Sequence, residues 1–191
     1  GTSTLTTDGA GTLTLAGANT RTGTTTLGGG TLKLDYSAQN NSKLSDTAAL
    51  TIGKSTVELA GGSHTETVLS TTLNAGASRV TRSSGSSILQ MNGITRSVGA
   101  TIDFAADGLA TTDTAGIGAA GNRILGGWAT VGGTDWAANS TEGADGAIVA
   151  YTAYTANTAT TLGGANTDNS NIVGTDTATP GAATINSIRF N

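Results

Sequence analysis

At 191 residues the chain is long enough to bury a core of ordinary size, yet its composition is not that of an ordinary globular domain. Glycine supplies 29 residues, aromatic residues make up 4% of the chain, and charged residues make up 12% against a usual ~25%. Low hydrophobicity with a high net charge would favour disorder, but the net charge is only −4 and alternating apolar runs recur, which favours a thin β-stack with small side chains.

The charge distribution and the missing residue types exclude several classes of partner and site. Residues 1–107 carry seven acidic and seven basic side chains, whereas residues 108–191 carry six acidic and two basic ones. Neither part has a basic patch, which argues against nucleic acid and anionic membrane as partners. Cysteine is absent, which excludes disulfides and thiolate metal sites. No run approaches the ~18 apolar residues of a membrane-spanning helix.

Two short runs near the start of the chain have the alternation of β-strands. Thr12–Leu15 and Thr31–Leu34 lie 19 residues apart in matching register, with Gly/Asn turns and a Thr-rich run between them. A strand pattern that returns after about 20 residues predicts one coil of a β-solenoid, in which each strand lies on its counterpart in the next coil. In that arrangement two leucine pairs fill a narrow core: Leu13 on Leu32, and Leu15 on Leu34.

The same stretch matches a longer pattern, G-x-L-T-L-x-G-x-N-T-x-T-G-x-T-x-[LIV]-x-x-G-T-L-x-[LIV]. The matching residues are Gly11, Leu13, Thr14, Leu15, Gly17, Asn19, Thr20, Thr22, Gly23, Thr25, Leu27, Gly30, Thr31, Leu32 and Leu34. Residues 11–34, about an eighth of the chain, thereby resemble the passenger-associated repeat of bacterial autotransporter proteins. Arg21 departs from the pattern, since the family often has an aromatic residue there. The resemblance implies an exported, all-β, right-handed parallel β-helix with essentially no helix; the spacing alone gives no handedness.

The rest of the chain continues the strand pattern with less regularity. Strands are predicted at 49–52 and 56–59, where Leu50 lies 18 residues after Leu32 and keeps the period. Further strands are predicted at 68–73, 78–82, 87–91, 100–104, 147–154 and 184–190, each bounded by turn residues. We therefore predict one β-solenoid segment over 1–191, with regular coils over 1–107 and a more irregular, loop-rich and acidic part over 108–191.

Candidate catalytic residues are few. His64 is the only histidine and stands in a turn-like Gly-Ser-His-Thr setting, which predicts a solvated loop residue. Ser63 and Ser70 are near it in sequence, but no G-x-S-x-G elbow accompanies them. Asp103 and Asp107 are the closest acidic pair on one strand and turn, and parallel β-helices host enzymes that use paired carboxylates. Asp103 is predicted to face solvent and Asp107 to form a turn, so we predict no catalytic residue and no enzyme.

The acidic part, 108–191, contains the segments that could hold a metal ion or a ligand. Residues 163–168 lack the third glycine of the calcium-binding G-G-x-G-x-D repeat, and scattered aspartates in turns are more often turn formers than calcium ligands. No metal or other cofactor is predicted. Four aromatic residues fall within 27 positions: Trp128, Trp136, Tyr151 and Tyr154. They are interpreted as a satellite core under the loops, with a sugar-binding platform as the alternative.

These observations together predict a structural role. The chain is expected to be a segment of an extracellular bacterial surface protein that forms a rod, stalk or filament by stacked coils, with end-to-end self-association. The alternative is an adhesin or glycan-binding module that uses the aromatic cluster at 128–154 against a glycan or a host cell surface. We expect an exported, extracellular or cell-surface location without direct membrane insertion, the signal and translocator parts lying outside this chain. Six residues define the structural repeat: Leu13, Leu15, Asn19, Leu27, Leu32 and Leu34.

Overall fold

The computed structural model describes residues 1–117, 123–157, 169–172 and 187–190. These residues form strands, turns and loops, and no helix occurs among them. The strands, in chain order, are β1 Leu5–Thr7, β2 Thr12–Leu15, β3 Thr25–Leu27, β4 Gly30–Asp35, β5 Leu50–Ile52, β6 Ser55–Ala60, β7 Thr65–Thr67, β8 Thr71–Leu73, β9 Gly76–Arg82, β10 Ile88–Gln90, β11 Ile94–Arg96, β12 Ala100–Phe104, β13 Ala110–Thr112, β14 Ala129–Val131, β15 Asp135–Asn139, β16 Gly146–Ala150, β17 Thr155–Asn157, β18 Asn169–Ile172 and β19 Ser187–Phe190.

The architecture is the predicted parallel β-solenoid. A five-strand sheet has the order β1-β3-β5-β8-β11, and every neighbouring pair in it is parallel. A second sheet of eleven strands begins β2-β4-β6-β9-β12, again with parallel pairs. Because successive coils contribute one strand to each sheet, the chain winds through five coils between β1 and β12. The fold class predicted from the sequence is confirmed, while its handedness stays a prediction.

The leucine pairing on which the sequence prediction depends is present. Leu13 pairs with Leu32 and Leu15 with Leu34 in the parallel register of β2 and β4. The first pair begins an inward row of six apolar residues, one from each successive strand of the eleven-strand sheet: Leu13, Leu32, Val57, Val80, Phe104 and Val131. The alternation of buried and half-buried residues along β4 and β6 follows from the period of two in a strand.

One detail of the predicted period is wrong. Leu50 does not continue the row of Leu32; Leu32 pairs with Val57, 25 residues later, and Leu50 pairs with Thr25 on the five-strand sheet. The physical reason is a loop at 36–49, which forms the third side of its coil without a strand. That loop lengthens the coil and shifts every later strand relative to a constant 19-residue period.

The tight turn between β3 and β4 requires glycine. Gly30 has a φ of 71°, and a Cβ at this position would collide with the carbonyl oxygens of Gly9 and Gly11 in the coil below. Only glycine adopts this conformation without strain and allows the backbones to approach so closely. Asn19 forms another corner, where its amide accepts a hydrogen bond from the Arg21 N–H and donates one to the Arg21 carbonyl.

A third side of the solenoid develops from the third coil onward. Strands β7, β10 and β13 pair in parallel, and β13 is joined through β16 and β15 to β14, so that the eleven-strand sheet closes around this end. The pairs β14–β15, β15–β16 and β13–β16 are antiparallel. The reversal after Val131 occurs at Gly132 and Gly133, which have φ values of 63° and 70° and so permit a hairpin turn. We call β15 and β16 the closing hairpin.

The closing hairpin departs from the parallel coils expected over the whole chain. The boundary between a regular part, 1–107, and an irregular part, 108–191, stays a prediction. Beyond the hairpin, β17, β18 and β19 form a separate three-strand ladder that is again parallel.

The described core is a single column of aliphatic side chains with few aromatics. Leu27, Leu32 and Leu34 are all less than 2% exposed within it. Burying such a side chain stabilises the fold by about 1.5–3 kcal/mol. Leu13 is 36% exposed and Leu15 only partly buried, because no further coil lies against β2 in this structure.

Candidate functional site

Buried ionisable side chains gather at one corner of the described fold, where the loop at 36–49 passes the edge of β7. Tyr36, Lys43 and Glu66 are nearly inaccessible to solvent, at 1%, 1% and 0% exposure. His64 lies beside them with 19% of its side chain exposed. We call these four residues the corner cluster. A group of this kind is where binding or chemistry is first sought in an uncharacterised fold.

Glu66 is the centre of the corner cluster. Its Oε2 accepts hydrogen bonds from the Tyr36 hydroxyl at 2.6 Å and the Lys43 N–H at 2.9 Å, and its Oε1 accepts one from the Leu44 N–H at 2.8 Å. β7 pairs with β10 on one side, but its other side faces a loop instead of a strand. The Glu66 carboxylate therefore supplies the acceptors that a neighbouring strand would otherwise offer to the loop backbone.

Lys43 fastens the same loop from its other side. Its Nζ donates to the Ala16 carbonyl at 3.0 Å, to the Gln39 carbonyl at 2.8 Å and to the Asn41 Oδ1 at 2.7 Å. An ammonium group has three protons to donate, so these contacts use its full capacity. Lys43 thus ties the loop to the first coil and has no donor left for a ligand.

The protonation states follow from burial. Burial raises the pKa of Glu66, while the hydrogen bonds from Tyr36, Lys43 and Leu44 and the charge of His64 act in the opposite direction. The pKa of Tyr36 is raised well above its usual range, first by burial and then by the Glu66 carboxylate. Tyr36 therefore keeps its proton and donates it to Glu66 in a hydrogen bond.

His64 is not the solvated loop residue that the sequence predicts. Its ring lies 5.2 Å from the Tyr36 ring, and its Nε2 lies 3.3 Å from Ser42 Oγ and 4.0 Å from Glu66 Oε2. A serine, a histidine and a carboxylate thus meet, but both oxygens face the same ring nitrogen. A catalytic triad requires the acid and the nucleophile on opposite nitrogens. The geometry does not provide that relay, and the expected absence of enzymatic activity stays a prediction.

The acidic pair considered in the sequence, Asp103 and Asp107, is engaged in structural contacts. Asp103 is half-buried, and its Oδ1 accepts hydrogen bonds from Thr130 at 2.9 Å and the Gly133 N–H at 2.7 Å, while Oδ2 pairs with Arg79 at 3.2 Å. Asp107 Oδ1 accepts a hydrogen bond from the Ala150 N–H at 2.6 Å. Both carboxylates thereby hold parts of the closing hairpin region.

The four aromatic residues do not form one cluster. Trp136, Tyr151 and Tyr154 pack together, with the two tyrosine rings 4.8 Å apart and edge to face, around Ile124 and Ala138. Trp128 packs instead against the main core, with the Arg96 guanidinium 5.9 Å from its ring centroid. Tyr151 is 5% exposed. The sugar-binding platform is therefore a wrong prediction, because three of these side chains form a small satellite core and the fourth lies elsewhere.

Two negative findings apply to the described residues. Within these ranges, no three histidine, cysteine, aspartate or glutamate side chains come together in a way that could hold a metal ion. The candidate calcium segment at 163–168 lies outside the described residues. The described part of the chain also has no helix with the length and apolar character needed to cross a membrane.

Sequence reasoning missed the partners of His64 in the corner cluster. Glu66 stands between Thr65 and Thr67, so polar residues surround it and nothing in the local pattern marks it as inward-facing. Its partners Tyr36 and Lys43 are 30 and 23 residues away. The one usable signal was the distance between predicted strands. The extra residues at 36–49 imply a loop, and such a loop needs side-chain contacts to hold it.

Comparisons with protein families, with curated proteins and with solved structures found no match to this chain. The likeness of residues 11–34 to the passenger-associated repeat accordingly stays a prediction from the sequence.

Proposed function

We propose that this chain is a structural segment of an extracellular bacterial surface protein, a rod or stalk built of stacked coils. The observation that carries the proposal is the in-register row of six apolar residues from Leu13 to Val131, one from each successive strand of the long sheet. Such a row, with a continuous main-chain ladder beside it, makes a solenoid extensible by repetition and stiff along its axis.

The corner cluster supports a mechanical role over a binding role. Every proton of the Lys43 ammonium and both oxygens of Glu66 are engaged with the chain itself. These contacts fix the loop at 36–49 to the first coil and to β7. The likeness of residues 11–34 to an autotransporter repeat adds the expectation of export to the cell surface.

End-to-end self-association is the second part of the proposal. Strands β1 and β2 each have a neighbour on one side only, and the exposed Leu13 lies on this open edge. At the opposite end of these coils the closing hairpin covers β13 and β14. Strand β11 ends the five-strand sheet on the other side, but there the Ile94 N–H donates to Thr114 Oγ1 at 2.7 Å instead of to a strand. We therefore assign the association to the edge formed by β1 and β2. Two copies that pair through this same edge across a two-fold axis form a closed dimer, whereas an open filament needs two complementary ends.

Light scattering on the purified chain tests the pairing. We expect a dimer in the wild type and a monomer after Leu13→Lys, because a charge on the open edge has to be desolvated in the contact. Leu69→Lys is the matched control, since Leu69 is 59% exposed away from β2. A wild-type monomer at all concentrations contradicts the proposed association.

Antibody labelling of the source cells tests the location. We expect an antibody raised against this segment to label intact cells, and external protease to remove the label. Labelling that appears only after the cells are permeabilised contradicts the surface role.

A further inference from the structure

The outer face of the five-strand sheet carries a ladder of threonines. The central residue of each strand is threonine, and the five stand in register one above the next: Thr6, Thr26, Thr51, Thr72 and Thr95. We call these five residues the threonine strip. In β3, β5 and β8 the two flanking side chains are buried and face inward while the central one faces out; β11 keeps the register, but its flanking Arg96 is exposed. Leu27, Ile52 and Leu73, which follow three of these threonines, are accordingly buried.

The positions beside the strip are small. The backbone ladder continues one residue before each strand, and a second outward column lies two residues before each threonine: Thr4, Thr24, Ala49, Ser70 and Gly93. None of these side chains is larger than threonine, and none is charged. On the other side the column is Asp8, Gly28, Gly53, Asn74 and Ser97, with its single charge at the outermost coil. The face is therefore low, even and nearly free of charge.

The other long face of the solenoid is different, although it also begins with threonines. Thr12, Thr31 and Thr56 form a row on the eleven-strand sheet, but the row continues into the ion pair of Arg79 and Asp103. The neighbouring row contains a second ion pair, in which Lys33 Nζ lies 3.4 Å from Glu58 Oε1. The two ion pairs thus lie on one of the two faces that the same coils build, whereas the strip and its adjoining columns carry a single charged side chain, Asp8. This segregation marks the threonine strip as a distinct surface.

We infer that the threonine strip binds the surface of ice. Parallel strands repeat every ~4.8 Å, which is close to the repeat of water oxygens along the a axis of hexagonal ice. Each threonine presents a methyl group and a hydroxyl that can hold a lattice water, and the hydroxyls of Thr72 and Thr95, 3.2 Å apart, also hydrogen-bond to each other. The branched side chain is restricted about χ1, so the array is ordered before it meets water and little side-chain entropy is lost on binding.

A sugar polymer fits this surface less well. The strip and both adjoining columns contain no aromatic residue, so a sugar ring finds no face on which to stack. The strip also has no cluster of charged donors that would orient a glycan, and a cavity that Thr6 helps to line lies at the open edge of the first coil, beside Asp8 and Leu13. An ordered layer of water requires only regularly spaced hydroxyl and methyl groups, and these are what the five threonines offer.

Ice-growth measurements on the intact chain test the inference. We expect the wild type to show thermal hysteresis and to inhibit recrystallisation of ice. Thr51→Tyr should lose both activities, because a large side chain at the middle position of the strip prevents close contact with the ice surface. Thr56→Tyr places the same change on the same coil but on the charged face, and should keep both activities.

The variants distinguish a loss of ice binding from a loss of folding. Circular dichroism and the melting temperature establish that each variant is folded, and Thr51→Ser, which removes only the methyl group, gives a second strip variant if the tyrosine disrupts folding. Loss in the strip variants with retention in Thr56→Tyr supports the inference. A wild type without effect on ice growth, or equal loss on both faces, overturns it.

Discussion

Two parts of the same coil find hydrogen-bond partners for their backbone groups in different ways. In β4 the N–H and C=O groups pair with strands on both sides, and the inward side chains are leucines. In the loop at 36–49, which follows directly, the backbone depends on the side chain of Glu66 from the next coil. The strand is repetitive and survives changes of sequence that keep its alternation. The loop depends on a few side chains that no repeat specifies, so its stability is concentrated in single residues.

The largest effect is expected within the apolar row. Phe104→Ala should lower the free energy of unfolding by about 3–5 kcal/mol, because Phe104 is fully buried and its loss leaves a cavity. Leu13→Ala, in the same row at the open edge, should cost less than about 1 kcal/mol because Leu13 is already 36% exposed. Urea denaturation of both variants checks the contrast, which fails if the two losses are similar.

The loop should respond almost as strongly to one polar substitution. Glu66→Ala leaves the N–H groups of Lys43 and Leu44 and the Tyr36 hydroxyl without their buried acceptor, which should cost about 3 kcal/mol. Hydrogen exchange should show faster exchange at Lys43 and Leu44 and little change in β4. Glu58→Ala, at a half-exposed position, is the control. An equal loss of protection in loop and strand would contradict the local role of Glu66.

The same residue should make the stability of the loop depend on pH. Burial raises the pKa of Glu66 in the folded chain above its ordinary value of 4.5, so the folded state favours the protonated acid. The corresponding stabilisation is fully present below pH 4.5 and is lost as the pH rises through the folded-state pKa. The difference in unfolding free energy between wild type and Glu66→Gln should therefore fall with rising pH.

Two other ionisable side chains contact Glu66 and have to be separated from its titration. They are Tyr36 and His64, of which only His64 ordinarily changes charge between pH 5 and 8; Lys43 contacts Glu66 through its backbone N–H, and its ammonium binds other groups. Repeating the measurement in a His64→Gln background removes the contribution of the histidine. A difference that rises with pH in that background would contradict the raised pKa.

The smallest effect is expected on the outer charged face. Lys33 and Glu58 form an ion pair whose side chains are 32% and 24% exposed. A double-mutant cycle to alanine should give a coupling energy of about 0.5 kcal/mol that weakens in salt. A coupling energy as large as the loss of stability in Glu66→Ala would contradict this expectation.

The strands could be predicted because their pattern is local. Alternating Leu and Thr at 12–15 and 31–34 places apolar side chains on one face, and this signal needs no knowledge of distant residues. The corner cluster could not be predicted in this way, because Tyr36 and Glu66 are 30 residues apart and meet only after β5 and β6 between them have folded. The hairpin turn at Gly132 and Gly133 is a recognised signal, but in a chain with 29 glycines it does not stand out.

The reversal at the closing hairpin has a consequence for how such a chain folds. A parallel coil acts as a template on which the next coil can be copied, and nothing in the coil itself stops the copying. Here β15 pairs with β14 on one side and with β16 on the other, and β16 pairs with β13, so neither edge of the closing hairpin is left to pair with another strand. Coil addition onto the eleven-strand sheet therefore stops at β14, and the parallel ladder of β17, β18 and β19 that follows is a separate sheet.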